Sequence, residues 1–247
     1  TEGIRYIAEH PFLMALITKA HFNQENPSPS IKDIGWVIGP NINSIIRLGT
    51  MPQKHAIFNA LVQPLSLTFS SKRGCEDEEV PLFEEAVRLC DNAKKRQTTA
   101  INKSIKIIES DMPRDIHNSV VYVDEEQDLS FELSGLIANK LLSSTNKPVI
   151  LLREFRDNKG NVQYRGSVRG KPAEGLTNLK ETIKGITGVE MAEGHAFAFG
   201  IGIDKDSLPA FKMHLDETLD MIDFNVNLYM VDLIAECKAV NKEIAQI

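Results

Sequence analysis

"PVILLREFRDNKGNVQYRGSVRG", residues 148 to 170, sets two apolar-rich runs on either side of a polar reversal. The run "PVILLREF" begins just after a proline, where a strand start tolerates the missing amide, and its β-branched and aliphatic residues suit a buried strand. Asn158 to Asn161 bring the Gly and Asn that a tight reversal needs, so "VQYRGSVRG" is expected to fold back as the second strand of a hairpin.

Working outward, "SVVYV" reads as a strand, "SFELSGLIANKLLSS" as a helix, "TNLKETIKGI" as a helix and "DSLPAFKMHLDETLDMI" as another. The stretch "AEGHAFAFGIGI", 192 to 203, is expected to give one strand, and "FNVNLYMV" the last. Upstream of Pro113 the pattern is helical. Residues 1 to 22 read as helix interrupted by Pro11, "PQKHAIFNALV" as helix, and Val80 to Ser110 as a long helix with Phe83, Val87, Cys90, Ile101, Ile105 and Ile108 mostly on one face. Gly35, Gly39, Pro40 and Gly49 are taken to mark a loop around a short helix, and "SSKRGCEDEE" an exposed break. The fold class is therefore α+β: a helical connector over 1–110, a mixed-sheet domain with helices packed on the sheet over 111–224, and a C-terminal strand and helix over 225–247.

Composition narrows the function classes. With 42% hydrophobic and 25% charged residues in 247, the chain has the balance of a globular protein large enough for one or two cores. Three widely spaced cysteines, Cys75, Cys90 and Cys237, form no C-x-x-C pair and support neither a disulfide framework nor a zinc site. The lack of a long apolar window or a leader-like start leads us to expect a cytoplasmic protein. A net charge of −6 argues against general nucleic-acid stickiness, although a local basic surface can act on an acidic protein. The first residue is not methionine and the last helix lacks a cap, so the expectation is a piece of a longer protein.

Two runs carry chemistry. In "YRGSVRG", Ser167 and Arg169 stand two apart and share a strand face, flanked by Gly166 and Gly170. A hydroxyl beside a guanidinium fork suits a phosphate or carboxylate; the competing reading is an ordinary exposed hairpin face. In the stretch from 192, Gly194 and His195 precede Ala198 and Gly200, small residues that leave one side of a strand low enough for a ligand or a packed helix. His195 is either an anion-facing donor or a hydrogen-bonded core histidine. Lys147, Arg153, Arg156, Lys159, Arg165 and Lys171 surround this region and read either as a basic surface following a nucleic-acid backbone or as a solvated hairpin.

"GSVRG" followed by "EGHAFAFG" resembles the G-S-x-R-S and G-G-H-x-x-A-A-G motifs of the DHH-associated domain of DHH phosphoesterases, and "SGLIANKLLSSTNKPVILL" resembles that domain's first helix and second strand. "IGPNINSIIRLG" is similar to the G-P-R-I-N-A-A-G-R-L segment of RecJ-like single-strand exonucleases, and "NAKKRQ" to the N-x-x-R-Q turn of their connecting helix. The resemblance covers most of residues 31 to 230. It implies a two-lobed metal-dependent hydrolase of single-stranded DNA, with Mn²⁺ or Mg²⁺ in a DHH lobe and substrate held by the associated lobe.

The sequence contains no D-x-D followed by the D-H-H of the metal lobe, and "DIHN" at 115–118 is neither the motif nor in the right place. This chain by itself is therefore expected to grip single-stranded nucleic acid, DNA before RNA, and to hydrolyse it negligibly. The resemblance assigns substrate contacts to Arg47, Asn43, Ser167, Arg169, Gly194 and His195, with no catalytic residue here beyond a phosphate-facing role for His195 and no metal ligand. Asn43 has a competing reading as a helix cap.

Three departures stand out: Glu193 replaces the first glycine of G-G-H, Gly170 the last serine of G-S-x-R-S, and Phe199 a small residue. Alternatives kept open are a DHH phosphodiesterase of short oligonucleotides or cyclic dinucleotides, and a non-catalytic binding module that recruits a single-strand-binding protein. A related tRNA-synthetase editing domain would need metal-binding Cys and His residues that the sequence lacks.

Overall fold

A computed structural model describes residues 2–112, 118–156, 160 and 162–226. These fall into two compact units, one within Thr1–Met112 and Gln127–Ile137, the other within Pro113–Glu126 and Ala138–Ile247. The expected last strand from Phe224 lies outside the described residues beyond 226, as does the hairpin turn at 157–159 and 161.

The first unit is helical. Pro11, expected to interrupt the opening helix, does so: α1 (Glu2–Glu9) ends and α2 (Pro11–Ala20) begins with the proline in its first turn and His10 as N-cap, its ring accepting from the Leu13 amide at 3.4 Å. Next, α3 (Ile31–Asp33) runs through a π-helical turn (Ile34–Ile38) into α4 (Gly39–Leu48). The expectation of a loop at Gly35, Gly39 and Pro40 is therefore corrected. The wide turn lets the Gly39 amide reach back to the Ile34 carbonyl and carries the chain past Pro40 without breaking it. α5 (Met51–Val62) follows, capped by a Thr50–Gln53 box. A short hairpin, β1 (Leu67–Phe69) with β2 (Glu79–Pro81), flanks the expected break; strands of three residues are too short to show a period in the sequence.

The long helix is α6 (Leu82–Asp111), and the face carrying Leu82, Ala86, Leu89, Cys90 and Ala93 packs with Phe12, Leu16, Ile17, Ile45 and Ile57. Burial pushes the Cys90 thiol up to about 12, so it behaves as a small apolar side chain. The α2–α3 connection is closed by Asp33, 4% exposed, whose carboxylate meets His21 Nε2 at 2.7 Å and accepts from the Ser30 amide and hydroxyl at 2.8 and 2.7 Å.

The second unit is built on a five-stranded sheet of order β3-β4-β5-β7-β6. β3 (Val120–Asp124) and β4 (Val149–Arg156) are parallel, joined through α7 (Ser134–Thr145) as parallel strands require. The remaining pairings, of β4 with β5 (Val162–Arg169), β5 with β7 (Ala198–Asp204) and β7 with β6 (Val189–His195), are antiparallel. Residues 192 to 203 are thus two strands rather than the one expected. The chain reverses at Ala196 and Phe197, and Gly194, at φ +133°, takes a conformation closed to other residues; a Cβ there would lie 2.8 Å from the Ala198 carbonyl. One face of the sheet presents Ile150, Leu152, Tyr164, Val168, Phe199, Ile201 and Ile203 to Leu179 and Ile183 of α8 (Leu179–Lys184) and Phe211, Leu215 and Leu219 of α9 (Leu208–Leu219). The fold is α+β with a mixed sheet.

β4 and β5 meet unusually closely at Gly166, where a Cβ would fall 1.7 Å from the Leu151 carbonyl oxygen. Replacing Gly166 with Ala is expected to destabilise the protein by about 2–4 kcal/mol in urea titration, because two central strands must separate to admit the methyl.

Burial pushes the Asp33 carboxyl up, but the hydrogen bonds from His21 and Ser30 outweigh it and hold the group below its usual range. Stability from a depressed carboxyl is present above its unfolded value of about 4 and is lost as pH falls through the folded value. Thermal melts should therefore show wild type losing more stability than Asp33→Asn between about pH 5 and pH 2.

Candidate nucleic-acid interface

Cross-strand partners in a sheet share a face, so register fixes which side chains can meet. On the face opposite the α8 and α9 core, Val149, Arg169, Ala198 and His195 form one row across β4, β5, β7 and β6. The next row is Leu151, Ser167, Gly200 and Glu193, and the next Arg153, Arg165, Gly202 and Met191. Ser167, Arg169 and His195 therefore lie on one face, in adjacent rows of three neighbouring strands. They are not sealed in the interior: Ser167 and Arg169 are half-buried and His195 is exposed.

The middle strand explains the small residues. On this face β7 offers Ala198, Gly200 and Gly202, so it forms a low floor between Arg165, Ser167 and Arg169 on β5 and Met191, Glu193 and His195 on β6. The flanking strands are two strand spacings apart, roughly 9–10 Å, so the floor is a trough wide enough for a sugar-phosphate chain. At the β4 end the face is closed, with Val149 and Leu151 at 0% and 3% exposure.

Several contacts set the walls. Arg169 Nη1 donates to the Val168 carbonyl at 2.7 Å, turning the guanidinium along its own strand. The loop beyond His195 is tied to α8 by the Lys180 amide on the Ala196 carbonyl, 2.9 Å, and by Lys180 Nζ on the Gly194 carbonyl, 3.2 Å. The Gly170 amide donates to the Phe197 carbonyl at 2.9 Å, continuing the β5–β7 pairing by one residue.

The departures sort by strand parity. Phe199 belongs to the core face, 3% exposed, and leaves the trough clear. Gly170 faces Leu179, whose Cδ2 would lie 2.4 Å from a Cβ, which accounts for the missing serine. Glu193, by contrast, shares its row with Ser167 and Gly200 and is exposed on the trough side. A carboxylate that would weaken an anion site unless it pointed away is thus on the site's own face.

The basic surface is smaller than expected. Arg153 and Arg165 lie on the trough face, and the Arg165 guanidinium sits 4.0 Å from the Phe155 ring centroid. Arg156 is displaced by one residue of the pleat onto the opposite face, 3.8 Å from Glu154, which also takes Lys205 at 2.7 Å. Those hydrogen-bonded and charged contacts from Lys205 lower the Glu154 carboxyl and raise the Lys205 ammonium. Lys159 lies outside the described residues.

Asn43 and Arg47 belong to the helical unit. Asn43 is exposed in the middle of α4, not its cap, since α4 continues directly from the π-helical turn and its N-cap position is Ile38. Arg47, half-buried, stands one turn further on the same face, in the last turn, where a cation complements the helix dipole. Gly49 follows because a Cβ would lie 2.5 Å from the Ile45 carbonyl. Among the described residues no group of three or more His, Cys, Asp or Glu could hold a metal ion, and no helix is long and apolar enough to cross a membrane.

No family model matches the sequence. Over 245 residues, 98% of this chain, it is 29% identical to a protein of Bacillus subtilis strain 168 provisionally named SPbeta prophage-derived single-strand DNA-specific exonuclease YorK, and equally to its counterpart in Bacillus phage SPbeta. It spans 42% of the length of those relatives. Its fold superimposes on RecJ from Thermus thermophilus, solved with Mg²⁺, at a TM-score of 0.56 over 87% of this chain and 30% of that one, with 20% identity. The chain has a RecJ-like fold. A second RecJ exonuclease structure, bound to manganese, matches at a TM-score of 0.52 and 19% identity over 89% of this chain and 48% of that one.

The sequence reveals the two motif strands but not the trough between them. Alternation in "HAFAFGIGI" is the available signal, and it becomes legible only once the reversal at Ala196 and Phe197 puts the motifs on adjacent strands. Replacing Glu193 with Gln should strengthen binding of an oligothymidylate by about two- to five-fold at low salt, with the gain shrinking as salt rises. Fluorescence anisotropy titrations at two ionic strengths read both effects.

Proposed function

We propose that this chain is the substrate-gripping part of a RecJ-like hydrolase that cuts phosphodiester bonds of single-stranded DNA. The observation that carries the reading is the register of β5, β7 and β6, which puts Ser167, Arg169 and His195 around a floor of Ala198 and Gly200. Nucleotide phosphates would lie over that floor, with Arg169 giving charge-assisted donors, Ser167 a hydroxyl and His195 a further N–H. Contacts from these three groups to phosphate carry no base information, which suits a grip on the backbone of any sequence. The names of the relatives and the order of the motifs support the substrate class.

In such a hydrolase the bond-breaking step uses a pair of ions that generate hydroxide and neutralise the leaving oxygen. Among the described residues no group of three or more His, Cys, Asp or Glu could hold a metal ion, and the sequence has no D-x-D followed by a D-H-H. Mn²⁺ or Mg²⁺ would be held by residues other than those of this chain. Arg47 and Asn43 on α4 would add a second place of contact with the strand; contact with a single-strand-binding protein is a property to be sought in the parent molecule.

Two substitutions test the grip separately. Arg169→Ala should weaken binding to every sequence of oligodeoxynucleotide by about 10–100-fold and reduce the salt slope by about 0.7. Gly200→Val fills the floor instead of removing a charge. Because a Cβ at Gly200 meets its nearest atoms, the Glu193 and Gly166 carbonyl oxygens, at an ordinary 3.8 Å, the variant should fold with a native circular dichroism spectrum and still lose binding. Wild-type affinity in both variants would move the site elsewhere.

A further inference from the structure

Beyond the Ser167 row the trough changes character. Phe155 stands two residues from Arg153 on β4 and shares its face, and Arg165, opposite Arg153 on β5, is its diagonal neighbour. The Arg165 guanidinium lies over the Phe155 ring, 4.0 Å from the centroid, and its Nε donates to Gln163 Oε1 at 3.2 Å. Gln163 in turn donates through Nε2 to Glu190 of β6. The guanidinium plane is thus held by the ring on one face and by the amide at one edge. Phe155 is 39% exposed and Arg165 half-buried, so both are open to solvent. Across the floor, Gly202 separates Arg165 from Met191 in the same row. A Cβ at Gly200 or at Gly202 would lie 3.9 Å from Met191 Cε, so the thioether leans over the floor there.

We infer that the Arg165 row is a nucleobase site, in which a base of the bound strand stacks on the guanidinium face turned away from Phe155 and rests against the Met191 thioether. The rows of Arg169 and Ser167 offer hydrogen-bond donors, whereas this row offers a cationic plane and a polarisable apolar group. A ring beneath the guanidinium and a base above it make a continuous stack, which an arginine plane supports and a lysine ammonium does not. Every base has a π face, so such a site adds affinity without choosing a sequence. The row lies two residues along β5 from Ser167, about 6.6–6.8 Å, a span that the base and phosphate of one nucleotide bridge. The inference rests on the reading of the trough as a single-strand grip and adds to it a contact with the base.

The test uses the full chain and two unlabelled competitors of a labelled decathymidylate: decathymidylate itself, and a decamer with the same number of phosphates whose sugars carry no bases. Wild type should prefer decathymidylate by about 5–100-fold. Arg165→Lys keeps the charge and loses the plane, and Phe155→Leu keeps apolar bulk and loses the ring. Each should erase most of that preference and leave affinity for the base-free decamer within about two-fold of wild type. Equal wild-type affinity for the two decamers would overturn the inference, and so would a preference that survives Arg165→Lys. Equal losses on both decamers in Arg165→Lys would make Arg165 a phosphate contact or a residue of the fold and overturn it as well. If Phe155→Leu lacks a native circular dichroism spectrum, Arg165→Lys decides alone. Failure of wild type to bind either decamer would overturn the single-strand reading itself, and is distinguished by appearing before any base is compared.

Discussion

The structure of the second unit depends on one constraint, the close approach of β4 and β5 at Gly166. Only a residue without a Cβ lets the Leu151 carbonyl come so near, and that approach locks the register of β5 between β4 and β7. Because side chains alternate strictly along a strand, a slip of one residue would exchange the two faces. Val168 would leave the core and Arg169 would enter it. The glycine beside the Ser–Arg pair is thus a structural requirement of the sheet, and the pair inherits its direction from it.

A second glycine does comparable work at the other wall. Gly194 adopts a positive φ that no side chain tolerates well, and it turns the chain from β6 toward the reversal at Ala196 and Phe197. The result folds a nearly continuous run of small and apolar residues back on itself. His195 and Ala198 become cross-strand partners, and the imidazole is carried to the rim of a floor made by Ala198, Gly200 and Gly202. The helices α8 and α9 support the floor from behind through Leu179, Phe211 and Leu215, all fully buried, so the trough is lined by rigid strands rather than by loops. Rigid support lowers the ordering cost of binding any ligand on such a surface.

The electrostatics of the trough are mixed rather than uniformly basic. Arg156 is drawn to the opposite face, Arg165 lies over Phe155, and Glu193 stands on the trough side. A carboxylate at that position makes the face less favourable to an anion than a glycine would. In the helical unit, the π-helical turn does for Pro40 what glycine does for the sheet, absorbing a local conflict so that α3 and α4 run on as one segment bearing Asn43 and Arg47.

Local patterns in the sequence were enough to determine the elements with strong periodicity. The length of α6, the β4–β5 hairpin, α7 and α9 followed from apolar spacing and from the turn residues between them, because these features depend on neighbours a few positions away. The pairing of Ser167 with Arg169 was also legible, since a two-residue period needs no tertiary information. Tertiary structure alone decided that residues 192 to 203 form two strands and that Phe199 is core while Glu193 faces the trough. Each of these turns on strand order and register, which are set by contacts between segments far apart along the chain, where one sequence carries no signal of which strand lies beside which.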